Sequence, residues 1–254
     1  MRVPSPIYCF YERRLWKQIK QGPMPHHIGV ILDGNRRFAR LKGLDTKQGH
    51  VYGAKKVEEL LHWCLKLDIK VITLFVFSTE NFKRSRDEVE RLMELFVEKL
   101  HQLNKDRLVD EKKVKVNFIG RREKLPKEIL ELIDTIEQKT KHYTGHILNI
   151  ALSYGGRAEI VDAIKKIATK IEKKELSVTE IDEDVVAQHL YTEGIPDPDL
   201  IIRTSGEERL SGFLLWQSAY SELYFTDIFW PAFRKIDFWR AIRTYQQRER
   251  RYGK

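Results

Sequence analysis

The chain is 254 residues long, 42% apolar and 33% charged, with 14 Gly, 8 Pro and a net charge of +9. That is enough chain to bury a sizeable core, and the composition excludes a disordered, collagen-like or low-complexity polymer. No apolar run approaches the roughly 18 residues a membrane helix needs, no secretory leader pattern opens the sequence, and Cys9 and Cys64 form neither a disulfide framework nor a metal pair, so a reducing, cytoplasmic setting is expected.

Residues 1–25 read as a basic amphipathic segment. Tyr8, Phe10, Tyr11, Leu15, Trp16 and Ile19 alternate with Arg13, Arg14, Lys17 and Lys20, and Pro23 and Pro25 close it. A helix packed on its own domain and a helix at a membrane surface both fit that pattern. Residues 26–254 then form the main domain. Residues 28–32 make a short strand that stops at Asp33-Gly34-Asn35. Val57, Leu60, Leu61, Cys64 and Leu65 recur at helical spacing over 54–67. Residues 71–77 are continuously apolar, as in a parallel strand buried on both faces.

Ser85 caps a long helix whose Glu88 completes a capping box. A strand follows at 114–118, then a helix opened by Pro126, a strand at 146–152 and a helix at 157–173. A further helix at about 180–190, a strand at 200–203 and a last helix at roughly 237–250 complete the pattern. Strand and helix alternate without a linker or repeat, so we predict a single α/β domain with a mostly parallel central sheet flanked by helices. Ligands of such sheets bind beyond the carboxyl ends of the strands.

Three strand ends carry polar clusters. Asp33-Gly34-Asn35-Arg36-Arg37-Phe38 combines a glycine that permits close approach, two cations and a carboxylate able to hold Mg²⁺. Ser78-Thr79-Glu80-Asn81-Phe82-Lys83-Arg84 follows the all-apolar strand; Ser78 and Asn81 also suit a simple turn. Arg203, Arg209 and Ser211 offer donors for one phosphate group. Glu222 sits in an apolar and aromatic stretch where a carboxylate needs a partner or a metal, which makes Asp33 and Glu222 a candidate ligand pair for one Mg²⁺. His50 alone reads more readily as structural than as catalytic, and no zinc spacing occurs. The positive charge, concentrated in part at Arg240, Arg243, Arg248, Arg250, Arg251 and Lys254, leaves nucleic acid, an anionic membrane and a phosphorylated substrate open.

The strings HHIGVILDGNRRFA, Gly49-His50, FSTENFKRS, NIALSYGGRAEIVDA, PDPDLIIRTSGEERLSGFLLWQSAYSELYF and RERRYG resemble those of cis-prenyltransferases, the undecaprenyl and dehydrodolichyl diphosphate synthase family, over nearly the whole chain. The resemblance implies repeated cis-condensation of isopentenyl diphosphate onto an allylic diphosphate primer, with Mg²⁺ and an apolar tunnel between sheet and helices for the product. It implies that Asp33 is catalytic and binds metal, with Glu222 as the second ligand. Gly34, Asn35, Arg36, Arg37 and Phe38 would hold the allylic diphosphate. His50, Ser78, Thr79, Glu80, Asn81, Phe82 and Arg84 would form the second substrate and catalytic group. Asn81 matches the position tied to proton removal, although an amide is a poor base and is expected to orient an oxygen instead. Arg203, Arg209, Leu210 and Ser211 would bind isopentenyl diphosphate.

The resemblance further implies a homodimer, with Arg251 and Gly253 matching a terminal motif that reaches the partner's site, and peripheral membrane contact for product release. Thr46, Glu208 and Gly212 depart from the pattern of several bacterial members. The N-terminal segment and RTSGEERLS look closer to archaeal and eukaryotic members, which leans the primer toward geranylgeranyl over farnesyl diphosphate. A Mg²⁺-dependent phosphohydrolase is the rival enzyme, disfavoured because Asn35 stands where a second aspartate is needed. A short-chain cis-prenyltransferase is a second alternative. A nucleic-acid module would require neither Glu222 in an apolar stretch nor the Gly-His and Glu-Asn-Phe strings, and no nucleic-acid partner is expected.

Overall fold

The computed structural model describes residues 6–248, and Arg251 and Gly253 lie outside the described residues. In chain order the elements are α1 (Pro6–Ile19), β1 (His27–Ile31), α2 (Asn35–Leu41), α3 (Thr46–Lys66), β2 (Val71–Ser78), α4 (Arg86–Lys105), α5 (Arg107–Glu111) and β3 (Val114–Ile119). There follow α6 (Lys127–Thr140), β4 (His146–Tyr154), α7 (Gly156–Glu172), α8 (Glu183–Ala187), β5 (Leu200–Arg203), β6 (Glu222–Phe225) and α9 (Lys235–Gln247). The strands form one six-stranded sheet in the order β3-β4-β2-β1-β5-β6. The pairs β1·β5, β3·β4 and β5·β6 are parallel, as the apolar strands and intervening helices predict.

The chain packs as two compact units. The first runs to Ile72 and takes in Pro198–Glu208 and the chain from Tyr220 onward; the second comprises Thr73–Asp197 and Arg209–Ala219. In the first unit the core is aromatic. Trp230, Phe233, Phe238 and Trp239 are fully buried, and Trp63 stacks on Phe238 with centroids 6.1 Å apart. The Trp230 indole N–H donates to the Gly53 carbonyl at 2.9 Å. α1 packs against α9, with Leu15 and Ile19 buried and the Trp16 ring 4.9 Å from Trp239.

In the second unit Phe75 stacks on Phe213 at 5.0 Å and meets Tyr154 edge-on. A line of side chains crosses three of its strands: Asn117 Nδ2 donates to Asn149 Oδ1 at 2.9 Å, and Asn149 Nδ2 donates to Thr73 Oγ1 at 3.0 Å. Asn149 and Thr73 are wholly buried, so these bonds satisfy amide and hydroxyl groups that water does not reach.

Several boundaries differ from the sequence reading. α3 begins at Thr46 instead of near 54, because Asp45 and Gln48 form a capping box, and His50 therefore lies inside the helix. The helix expected over 180–190 is a 3₁₀ turn at Val178–Glu180 and the five-residue α8. Asp182 caps the latter by accepting from Val185 N–H at 2.8 Å, so the chain restarts there. Pro126 occupies the N-cap of α6 and not its first helical position. The aromatic run at 222–225 is a strand, β6.

Gly53 fixes how closely α3 approaches the start of α2. A Cβ there would stand 2.2 Å from Asn35 Oδ1 and 3.2 Å from Trp230. Gly53→Ala is expected to cost about 1–3 kcal/mol, measured as a lower urea midpoint at unchanged m-value. An unaltered midpoint would mean that Asn35 yields freely.

Candidate active site

β1 delivers its last residues into a turn that only glycine fits. Gly34 has φ +103, and a Cβ there would sit 2.9 Å from the Phe229 ring and 3.0 Å from Ser205 Cβ. Immediately before it, Asp33 is pinned through its backbone. Its N–H donates to Thr204 Oγ1 at 3.1 Å, and its carbonyl accepts from the Thr204 hydroxyl at 2.7 Å and from Trp230 N–H at 2.9 Å.

The Asp33 carboxylate lies between two guanidinium groups. Arg203, buried on β5, donates to Oδ2 at 2.9 Å, and Arg37 Nη2 lies 3.3 Å from Oδ1. Arg37 also donates to Glu207 at 2.8 Å and to Ser205 Oγ at 2.5 Å, and it stands over the Phe229 ring. Burial pushes the Asp33 carboxyl upward, but the hydrogen bond and charge of Arg203, the charge of Arg37 and the Ser205 hydroxyl outweigh it. The group is held below its ordinary value and is therefore ionised.

The sequence placed Arg203 in one diphosphate group and Arg37 in another; the structure puts both on the same carboxylate. Thr204, Ser205 and Glu207 belong to this cluster and were missed, although the RTSGEE string places them directly after β5. Asn35 points its Oδ1 toward Gly53 and donates from Nδ2 to the Leu32 carbonyl at 3.2 Å, so its side chain shapes the turn. Phe38 meets Tyr52 edge-on at 6.0 Å, Arg36 is exposed and His50 is half-buried in α3.

Glu222 does not pair with Asp33 on one metal within a single chain. It opens β6 opposite Leu200, which is opposite Ile28 at the start of β1. Asp33 lies beyond the opposite end of β1, which alone runs three residues past Ile28, about 10 Å at a strand's rise per residue, before the turn. Glu222 instead accepts from Arg248 at 2.5 Å, which answers the cost of a carboxylate among aromatics.

In the second unit, β2 ends at Ser78 and the chain turns through a 3₁₀ helix, Thr79–Lys83. Ser78 N–H donates to Asn81 Oδ1 at 3.0 Å, so that oxygen is committed to the turn and Nδ2 is the end of the amide left to meet a ligand. Thr79 faces Gly155, where a Cβ would approach its hydroxyl to 2.8 Å. Phe82 lies edge-on to Phe77 at 4.9 Å, Arg84 pairs with Glu88 at 2.9 Å, and Glu80 is exposed.

Arg209, Leu210 and Ser211 lie on a separate stretch of this unit, with Arg209 and Ser211 exposed. Positive φ values at Ser211, Gly212 and Leu214 coil that stretch tightly. It is tied down by the Gly156 N–H donating to the Gly212 carbonyl at 2.7 Å, and by Gln217, which donates to Glu159 at 3.1 Å and to Thr192 at 2.8 Å. Glu159 is buried and also accepts from the Tyr154 hydroxyl at 2.5 Å and from Tyr191 N–H at 2.9 Å. Burial pushes its carboxyl up despite those bonds.

The depressed Asp33 value contributes stability that is present above the ordinary carboxylate range, about 3.9, and lost as pH falls through the folded value. Arg203→Gln removes the strongest lowering partner and is expected to move the Asp33 titration upward, read from its carboxyl carbon by NMR. A titration in the parent's place would show that Arg203 does not set it.

Residues 31–253 match the sequence model of the Prenyltransf family, described as undecaprenyl diphosphate synthase. An isoprenyl transferase of Thermus thermophilus is 54% identical over 258 residues, covering 100% of this chain and 98% of the relative. A tritrans,polycis-undecaprenyl-diphosphate synthase (geranylgeranyl-diphosphate specific) of Pyrococcus horikoshii is 51% identical, covering 98% and 95%. The crystal structure of lavandulyl diphosphate synthase from Lavandula x intermedia with dimethylallyl diphosphate superposes with a TM-score of 0.87 at 35% identity, covering 91% of this chain and 99% of that one. On sequence and fold alike, the chain belongs to the undecaprenyl diphosphate synthase family of prenyltransferases.

Proposed function

We propose that the chain condenses isopentenyl diphosphate repeatedly onto an allylic diphosphate primer, forming a cis double bond at each step. The product is a long-chain polyprenyl diphosphate, precursor of a glycosyl carrier lipid. One observation carries this reading: an ionised carboxylate held between two arginines at a glycine turn beyond a parallel strand. That arrangement suits a diphosphate, whose oxygens need both donors and a counter-charge. Geranylgeranyl diphosphate is the favoured primer over farnesyl diphosphate, because the Pyrococcus relative is specific for it.

In each turnover the allylic C–O bond breaks and its electron pair leaves with the diphosphate. C4 of the isopentenyl group bonds to the cation-like carbon, and a proton leaves C2. Arg37, with its side chain 41% exposed, donates to the departing oxygens, and Gly34 lets them approach the backbone. Arg203 orients Asp33. Asp33 would be the protein's ligand for a divalent ion, since among the described residues no group of three or more His, Cys, Asp or Glu side chains is placed to hold one, and phosphate oxygens and water would complete its shell. Mg²⁺ is bound in that way elsewhere, and a hard, ionised oxygen fits it. When bound, it neutralises charge on the diphosphate.

Asn81 presents Nδ2 as a donor and takes no proton; the C2 proton passes to an oxygen that this donor orients. Arg84, Arg209 and Ser211 supply donors for isopentenyl diphosphate, with Ser78, Thr79, Glu80, Phe82, Leu210, His50, Arg36 and Phe38 as further contacts. The half-buried Phe96, whose ring meets Phe77 at 5.8 Å, is a candidate wall of the apolar tunnel. No helix among the described residues is long and apolar enough to cross a membrane. We assign the enzyme to the cytoplasm, in keeping with free thiols at Cys9 and Cys64.

Incubation with labelled isopentenyl diphosphate, Mg²⁺ and geranylgeranyl, farnesyl or dimethylallyl diphosphate tests the reaction. The expected outcome is long products, fastest from the geranylgeranyl primer. Free phosphate without elongation would support the phosphohydrolase, and a single condensation the short-chain enzyme. Asp33→Asn is expected to keep the fold and lower turnover by about 10³-fold.

We also propose a homodimer. Val161 and Ile164 on α7 are 45% and 57% exposed, an apolar pair that a second copy would cover. Ile164→Asp is expected to convert the dimer to monomer in light scattering; an unchanged dimer would place the interface elsewhere.

A further inference from the structure

Ser205 lies in the segment that leaves β5, and its backbone is one that a serine adopts at a cost. Its φ is +77, and Gly206 beside it has φ +75. Glycine alone enters that region freely, because a Cβ crowds the neighbouring peptide there. The surroundings enforce the turn: Ser205 N–H donates to the Ile228 carbonyl at 2.9 Å, and Gly206 N–H to the Thr226 carbonyl at 2.9 Å. Ser205 is 6% exposed, and its Cβ faces Gly34, where a second Cβ would stand 3.0 Å away. A side chain kept where glycine would be unstrained points to a use for it.

The hydroxyl has one. Arg37 Nη2 donates to Ser205 Oγ at 2.5 Å and lies 3.3 Å from Asp33 Oδ1, while Arg37 Nη1 donates to Glu207 at 2.8 Å. A guanidinium only donates, so the Ser205 oxygen accepts from it and keeps its own proton to give. That proton goes to the Asp33 carboxylate. The hydroxyl thus bridges cation and anion. Arg37 is half-exposed, and a long side chain in that setting otherwise has many rotamers to lose when a ligand arrives. Glu207 alone would let the guanidinium swing about one anchored nitrogen; Ser205 holds the second and sets its plane beforehand.

We infer that Ser205 is a positioning residue, which holds the Arg37 guanidinium in the orientation that receives the allylic diphosphate. The phosphate oxygens then meet a donor whose rotamer freedom was lost on folding, before the substrate binds. This role rests on the reaction proposed above and adds to it the residue that orients its leaving-group donor.

Two variants separate the hydroxyl from the backbone. Ser205→Gly and Ser205→Ala both delete the hydroxyl. Only Ser205→Ala keeps a Cβ at positive φ, so Ser205→Gly is expected to melt at the higher temperature of the two. Each is expected to lower kcat/KM for geranylgeranyl diphosphate about tenfold, with KM for isopentenyl diphosphate within about twofold of the parent. In an Arg37→Ala background Ser205→Gly is expected to change kcat/KM less than about twofold, because the residue it acts through is gone. Nitrogen-15 NMR of the Arg37 guanidinium is a readout independent of turnover. Rotation about the Cζ–Nη bonds is expected to be slow in the parent and faster in both variants.

An activity loss that tracks the melting temperature, an equal rise in both KM values, or full additivity with Arg37→Ala would each overturn the role of Ser205. So would Arg37 nitrogens that rotate at the parent's rate in Ser205→Gly. A parent that elongates no primer would overturn the reaction, and with it the ligand assigned to Arg37, whatever the NMR result.

Discussion

Arg203 is buried on a strand that would otherwise be wholly apolar, and a guanidinium in that position is tolerable only beside a compensating charge. Asp33 supplies it at 2.9 Å. Removing one partner of such a pair typically costs about 3–5 kcal/mol, because the other is left buried and unbalanced. The backbone around Asp33 is accordingly fixed from three directions: by the Thr204 hydroxyl, by the Trp230 N–H and by a left-handed Gly34. The same carboxylate that balances Arg203 is the one we propose acts on the diphosphate, so on that reading fold and activity share an ion pair.

The second unit shows a different way of holding a polar segment in place. Ser211, Gly212 and Leu214 all adopt left-handed backbone, which costs free energy at the two residues that carry a Cβ. The restraint comes from beneath, through Gly156, Gln217 and the buried Glu159 with its donors Tyr154 and Tyr191. Exposed Arg209 and Ser211 thus sit on a foundation of hydrogen-bonded buried side chains.

Much of this was legible in the sequence, for identifiable reasons. Buried parallel strands have no polar alternation, so 71–77 and 200–202 stand out as apolar runs, and α4 and α6 repeat their apolar residues at helical spacing. Asp33, Arg37 and Arg203 were findable as charges at strand ends. Partnership was not findable. That Arg37 and Arg203 share a carboxylate, and that Glu222 faces Arg248, depends on residues some 170 and 26 positions apart in the chain. Strand register, which separates Glu222 from Asp33, is likewise invisible until the sheet is assembled. The early start of α3 was available in Asp45 and Gln48, but glycines at 49 and 53 dilute the helical signal there.

The Asn117–Asn149–Thr73 line has a consequence for assembly of the sheet. Hydrophobic strands attract one another in almost any alignment, and apolar side chains report a shift only weakly. A displacement of β3 by two residues keeps every side chain on its original face, yet it sets Asn149 against Lys115 or Ile119 in place of Asn117. The amide would then lose its partner in a dry interior, at about 1–3 kcal/mol for each unmet group. Three small polar residues therefore act as an alignment key, discriminating among pairings that hydrophobic burial treats as nearly equivalent.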